Sequence, residues 1–188
     1  MNRSVSRRPD ECEPTSPYQR QLIDKVEGEC VVEASNAQMY TLCEMASNIC
    51  PEQVDKVHAP YQWTIRQVLE HCANAERVFG YRMMRIAAGD STELVGWDEN
   101  AYANSRFGLG SFGLLISEIG SLRQANLLLL RRITPKAWDR MGTADGQQVS
   151  VRTVAWIAAG HLQHHMEIIA KRCDITLPPT PNAPTPNA

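Results

Sequence analysis

The stretch TIRQVLEHCANAERVFGYRMMRIAAGD, residues 64–90, decides the fold. Thr64 with Gln67 three positions on is a capping box, in which each side chain satisfies a backbone N–H that the first helical turn leaves unpaired. Ile65, Val68, Leu69, Cys72, Ala75, Phe79, Met83 and Ile86 then hold one face until Gly89-Asp90 ends the run. The stretch predicts a helix of roughly 37 Å at 1.5 Å per residue. It is apolar along a single stripe, so other elements must cover that stripe.

Working outward, three more helical stripes appear. Val31, Ala34, Met39, Leu42, Met45 and Ile49 predict a helix over Cys30 to Ile49, stopped by CPEQ. Phe112, Leu115, Ile116, Ile119, Leu122, Leu129 and Ile133 predict another, interrupted at Thr134-Pro135. Ser150 caps a fourth, with Val151, Val154, Ala155, Ala158, Leu162 and Ile169 on its apolar side. STELVGWDENAYANSRFGLG, between the second and third helices, is rich in turn formers and reads as a long crossing connection, and TADGQQ reads as a turn. With no alternating strand pattern, the expected fold is all-α, a four-helix bundle.

The 188 residues make one domain, taken as residues 18–175. Residues 1–17, dominated by Ser, Arg and Pro, and the proline-rich residues 176–188 are expected to be disordered tails. A net charge of −2 gives no basic footprint for nucleic acid or an anionic membrane surface. No apolar run is long enough to span a bilayer and no apolar segment follows the N-terminal charges, so a cytoplasmic protein is expected. The six cysteines, at 12, 30, 43, 50, 72 and 173, show neither CxxC spacing nor a disulfide framework and read as reduced thiols. Cys72 lies about 100° round the helix from His71, which favours packing over a role in a site.

Three of the five histidines fall within GHLQHHMEII, residues 160–169. His161 and His165 are one helical turn apart, about 40° different in direction, and two imidazoles so placed can share a metal ion. His164 lies about 100° from His165, nearer Lys171 and the outer edge. His71, bordering the apolar stripe of the second helix beside Val68, Leu69 and Cys72, completes a set of three. His58, in a loop before that helix, is the weakest candidate. A single buried histidine is ordinarily a hydrogen-bonded core residue. Three on two apolar-faced helices are better explained by a shared ion that offsets the cost of burying them. Leu162 stands where the glutamate of HExxH would be, which excludes that protease mechanism.

YQWTIRQVLEHCANAERVFGYRMMRIAAGD, GWDENAYA and SVRTVAWIAAGHLQHHMEIIAKR together resemble the DinB-like superfamily, over roughly Tyr18 to Arg172. The resemblance implies a four-helix bundle whose metal-binding triad falls on His71, His161 and His165. It also implies a divalent ion such as zinc or nickel, a homodimer, and activities that include S-transfer with low-molecular-weight thiols, thiol-dependent isomerisation and metal-dependent hydrolysis. Asn74 departs from the aspartate that many relatives carry before the ER pair. His164, Asn74 and Arg82 are candidates for groups behind the ligands. Arg82 lies about 20° round the helix from His71 and Glu76 about 140°, and a salt bridge or dimer contact is an equal alternative for both. Asp98, Glu99 and Asn100 are candidates for the mouth of the site, or for an ordinary exposed turn.

Three neutral imidazoles leave a divalent ion its full charge, so its open position favours an anion. The expected activity is a metal-dependent thiol S-transferase acting on a small electrophilic substrate. The alternatives are a hydrolase that activates water and a non-enzymatic stress-response or ligand-binding dimer.

Overall fold

The protein is described here from a computed structural model covering residues 6–108 and 110–178. Its elements run α1 (Pro17–Asp24), α2 (Val31–Ser47), α3 (Pro51–Val54), α4 (Ile65–Ala88), α5 (Glu99–Ser105), α6 (Phe112–Arg132), α7 (Pro135–Trp138), β1 (Met141–Ala144), β2 (Gln147–Ser150) and α8 (Val151–Cys173). The four long helices α2, α4, α6 and α8 are those expected from the apolar stripes. The Thr64–Gln67 capping box forms in both directions and Gly89 ends α4 in the left-handed conformation, φ 83°. Ser111 and Ser150 accept from Leu114 N and Thr153 N at the starts of α6 and α8.

α2 and α4 each pack against both α6 and α8, which puts α2 and α4 on one diagonal of the bundle. One apolar cluster joins the start of α2 (Val31), the ends of α4 and α6 (Met83, Leu127) and the start of α8 (Val154). The other joins Leu42 and Met45 late in α2, Ile65 and Leu69 early in α4, Ile119 in α6 and Met166 late in α8. It follows that α4 and α6 run parallel as neighbours. A parallel pair cannot be joined by a tight turn, so residues 89–111 must travel back along some 36 Å of helix. This crossing connection carries α5 and passes over the middle of α4.

Two expectations are corrected. TADGQQ is more than a turn: β1 and β2 form an antiparallel hairpin with Ala144 opposite Gln147. Asp145 and Gly146 both have positive φ, 53° and 69°, as the favoured two-residue hairpin turn requires, and Asp-Gly was its signal. Leu94 of the crossing connection pins itself to this hairpin, donating to Thr143 O at 2.9 Å and accepting from Asp145 N at 2.8 Å.

Nor do residues 6–17 stay clear of the core. Ser6 is fully buried, Trp156 Nε1 donates to Arg7 O at 2.7 Å, and Ser150 Oγ and Arg152 Nη1 donate to the Glu13 carboxylate at 2.7 and 3.2 Å. The donors at the start of α8 draw the segment down, because a polar group buried there without an acceptor costs about 1–3 kcal/mol. Ser16 and Gln19 then form a capping box that opens α1. At the other end Ile175 and Leu177 pack on the second cluster, and residues 179–188 of the proline-rich segment lie outside the described residues.

α1 rests directly on α8. A Cβ on Gly160 would stand 2.0 Å from Leu22 O and 2.4 Å from its carbonyl carbon, and backbone atoms cannot rotate away. Gly160→Ala is therefore expected to push α1 off its seat and cost roughly 1–3 kcal/mol. That corresponds to a fall of about 2–12 °C in Tm for a chain of this size. A thermal melt matching the unmodified protein would contradict this packing.

Candidate metal centre

The two apolar clusters are separated by a buried polar layer. In it Arg123 Nη2 of α6 donates to Glu76 Oε1 of α4 at 2.5 Å and to Ala158 O of α8 at 3.2 Å. Gln38 Nε2 of α2 donates to Ala159 O at 2.9 Å. His161 follows directly on this stretch of α8. His71 faces it from α4, and both are buried, while His165 is partly buried one turn further along.

The three rings converge through one kind of atom. His71 Nε2 lies 2.8 Å from His161 Nε2, and His165 Nε2 lies 3.2 Å from His161 Nε2. All three possible ligand atoms are within 4.8 Å of one another. Tetrahedral coordination with bonds of about 2.0–2.1 Å sets ligand nitrogens roughly 3.3 Å apart, so small movements suffice to receive an ion. Burial lowers the pKa of His71 to about 4. Burial first, and the neighbouring rings second, hold His161 and His165 well below the ordinary histidine value. Neutral imidazole is the form that ligates a metal. The set fits a divalent ion.

The rings are held by aromatic packing. Trp97 of the crossing connection stacks on His71, centroids 5.6 Å apart and planes within 9°. Trp63 tilts against the same ring at 5.3 Å, and Phe79 meets His161 edge-on at 5.5 Å. Among the described residues His71 Nδ1 is buried without a partner, whereas a ligating histidine ordinarily donates that proton to an acceptor behind it. Stacking therefore fixes this ring where a hydrogen bond would elsewhere.

The remaining candidates separate. The His164 ring sits beside His165, centroids 5.2 Å apart, but its nitrogens are not among the converging three. Asn74 accepts a 3.4 Å bond from Arg77 and lines a separate surface groove with Arg66 and Glu70. Three residues along α4 turn it about 60° from His71, toward the start of α6, so it does not stand behind a ligand. Glu76 is a salt-bridge residue paired with Arg123. Asp98 caps α5 by accepting from Ala101 N at 2.9 Å. Cys72 is buried and its thiol pKa is pushed up by burial, so it is inert packing. His58 joins Gln53 and Arg172 away from the triad.

Arg82 does share the site's side. A cavity of about 310 Å³ opens beside the triad; His161 and Phe79 line it, and so do Glu99, Asp145 and Arg82, the last about 16 Å further along α4 than His71, with Trp97 between. Sequence reasoning missed Trp97, Asp145 and the contribution of Tyr18 and Gln19 from α1. The only local signal was Trp97 within GWDENAYA.

A four-helix bundle whose facing helices bring three histidine nitrogens to one point defines a bundle protein with a histidine triad that could hold a metal ion. Residues 37–169, more than half of the chain and all three histidines, match the DinB superfamily. The chain belongs to the DinB superfamily. Among solved structures it is similar to YfiT from Bacillus subtilis, described as a probable metal-dependent hydrolase with an unusual four-helix bundle topology. The identity is 17%, the TM-score 0.67, and the match covers 92% of this chain and 99% of that one. It is also similar to the mycothiol-dependent maleylpyruvate isomerase, at 13% identity and TM-score 0.59, over 85% of this chain and 62% of that one. These likenesses show a shared fold. No curated protein sequence matches the chain.

Proposed function

We propose that this protein is a divalent-metal-dependent thiol S-transferase for small electrophiles, using zinc or nickel at His71, His161 and His165, in the cytoplasm and as a homodimer. The observation that carries the reading is a donor set of three neutral imidazoles whose shared member, His161, lines a cavity. A divalent ion bound there would lower the pKa of a thiol beside it and make it nucleophilic at neutral pH. The mycothiol-dependent solved structure gives the thiol reading support in kind. Leu114 and Leu128 are exposed on one side of α6, two apolar side chains that a second copy could cover. Among the described residues no helix is long and apolar enough to cross a membrane.

The chain's own residues do the positioning. Trp97 and Trp63 pack on the His71 ring and Phe79 on the His161 ring, which holds the imidazoles in place. In the transfer, the thiol sulfur forms a bond to the electrophilic carbon as the bond to the leaving group breaks. The leaving group departs with its electron pair and the thiol proton passes to solvent. Glu99 favours a second reading, hydrolysis. Burial and Asp145 raise its carboxyl pKa, with Arg82 opposing, and it lines the same cavity, where it would serve as a base toward water.

The two are separated by incubating metal-loaded protein with monobromobimane and a panel of cellular thiols. Metal-dependent conjugation well above the uncatalysed rate is expected with at least one thiol. Ester cleavage without any thiol would support hydrolysis, and loss of neither activity on chelation would sink both.

A further inference from the structure

The cavity beside the triad is charged at the end away from the histidines. Arg82 comes from α4, Glu99 from the start of α5 and Asp145 from the hairpin turn, three segments that meet only because the crossing connection is pinned to the hairpin at Leu94. Gly96 makes room for this: a Cβ there would stand 2.1 Å from Asp145 Oδ1.

These groups face one another without satisfying one another. Among the described residues Arg82 makes no ion pair, its guanidinium gives one long bond to Val95 O at 3.4 Å, and its buried Nε has no partner. A guanidinium has five N–H donors in a fork matched to a carboxylate, so Arg82 has donors to spare. Burial first, and the neighbouring Asp145 charge second, raise the pKa of the Glu99 carboxyl, and Arg82 offsets this only in part. Two carboxylates against one guanidinium leave the pocket short of one cation. The volume, about 310 Å³, is at the small end of the roughly 300–1,000 Å³ that ligand pockets span. It suits a ligand of small-peptide size.

We propose that this cavity selects thiols that carry both a carboxylate and an ammonium group, Arg82 receiving the carboxylate and Glu99 with Asp145 receiving the ammonium. The proposal rests on the thiol reading of the triad and names the substrate class that reading leaves open. The opposed charges at one end orient such a ligand so that its sulfur is left to face His161 at the other. A neutral thiol would have to leave Arg82 and the two carboxylates unpaired and partly desolvated, and each such omission weakens binding.

The test uses full-length protein loaded with cobalt, in which bound thiolate gives a sulfur-to-metal charge-transfer band. Glutathione, its N-acetyl derivative and its diethyl ester are titrated as probes, the last two lacking the ammonium and the free carboxylates. Glutathione is expected to bind about tenfold or more tightly than either derivative. In Arg82→Gln the advantage over the diester should vanish while that over the N-acetyl form remains. In Glu99→Gln/Asp145→Asn the pattern should reverse, and Arg82→Lys, which keeps the charge without the fork, should fall between. Equal binding of all three probes to the unmodified protein would overturn the selectivity while leaving the thiol site standing. Absence of any band with all three would overturn the thiol site and the selectivity with it.

Discussion

His161→Ala is expected to take the bound divalent ion from about one per chain to none after desalting. His161 Nε2 is the atom that lies near both of the others, 2.8 Å from His71 and 3.2 Å from His165. Without it two imidazoles on different helices remain, which is too few donors for a stable site. His164→Ala serves as the control and should keep its metal, because its nitrogens lie outside the converging set. Stability gives a second readout: an ion at a hundred times its Kd adds about 2.7 kcal/mol to a fold that binds it, so added metal should raise the Tm of the unmodified protein and of His164→Ala, but not of His161→Ala. Metal retained at unmodified stoichiometry by His161→Ala would refute the site.

Acid should act in a defined direction on the metal-free protein. His71 has its folded pKa depressed from 6.5 to about 4, so the unfolded chain binds more protons between those values. Stability is then complete above about pH 6.5 and falls as pH drops toward 4. Urea titrations across that interval should show it, and His71→Ala should reduce the slope while His161 and His165, also held well below the ordinary value, keep the remainder.

Arg123→Ala is expected to cost about 3–5 kcal/mol, the range for stranding one partner of a buried ion pair. Arg123 and Glu76 are each about 2% exposed. The Glu76 carboxyl is pushed up by burial and held down by the Arg123 charge and by hydrogen bonds from Asn126 and Arg123. Removing the guanidinium leaves Asn126 Nδ2, at 3.0 Å from Oε2, as the remaining side-chain donor to Glu76 among the described residues. The carboxyl pKa then rises further, so the defect should be largest near neutrality and shrink toward pH 4, where the unfolded chain also begins to hold the proton. Replacing both residues by methionine should recover much of the loss, since hydrophobic substitutes for a buried pair are often neutral or stabilising. A single-variant loss under about 1 kcal/mol by urea denaturation would show that water reaches the pair.

The sequence by itself determined the elements whose causes are local. Apolar positions at helical spacing marked the four long helices, and Thr64, Gln67 and Gly89 marked the ends of α4. One turn of separation made His161 and His165 a pair, and the edge position of His71 made it the third member; their nitrogens do converge. Even Glu76, 140° round α4 from His71, is found on the side of α6 rather than with the ligands.

What the tertiary structure alone decided is which partner covers each face. A stripe says that a helix side is buried, and says nothing of the neighbour that buries it. Because α4 and α6 run parallel, residues 89–111 must cross the bundle, and that route sets Trp97 on His71 and Glu99 opposite Arg82. The seat of α1 on Gly160, the hairpin that brings Asp145 to the cavity and the separation of Arg82 from Asn74 all depend on contacts between residues far apart in the chain. No periodicity records those contacts, since they are fixed by chain closure and packing rather than by the preferences of neighbouring residues.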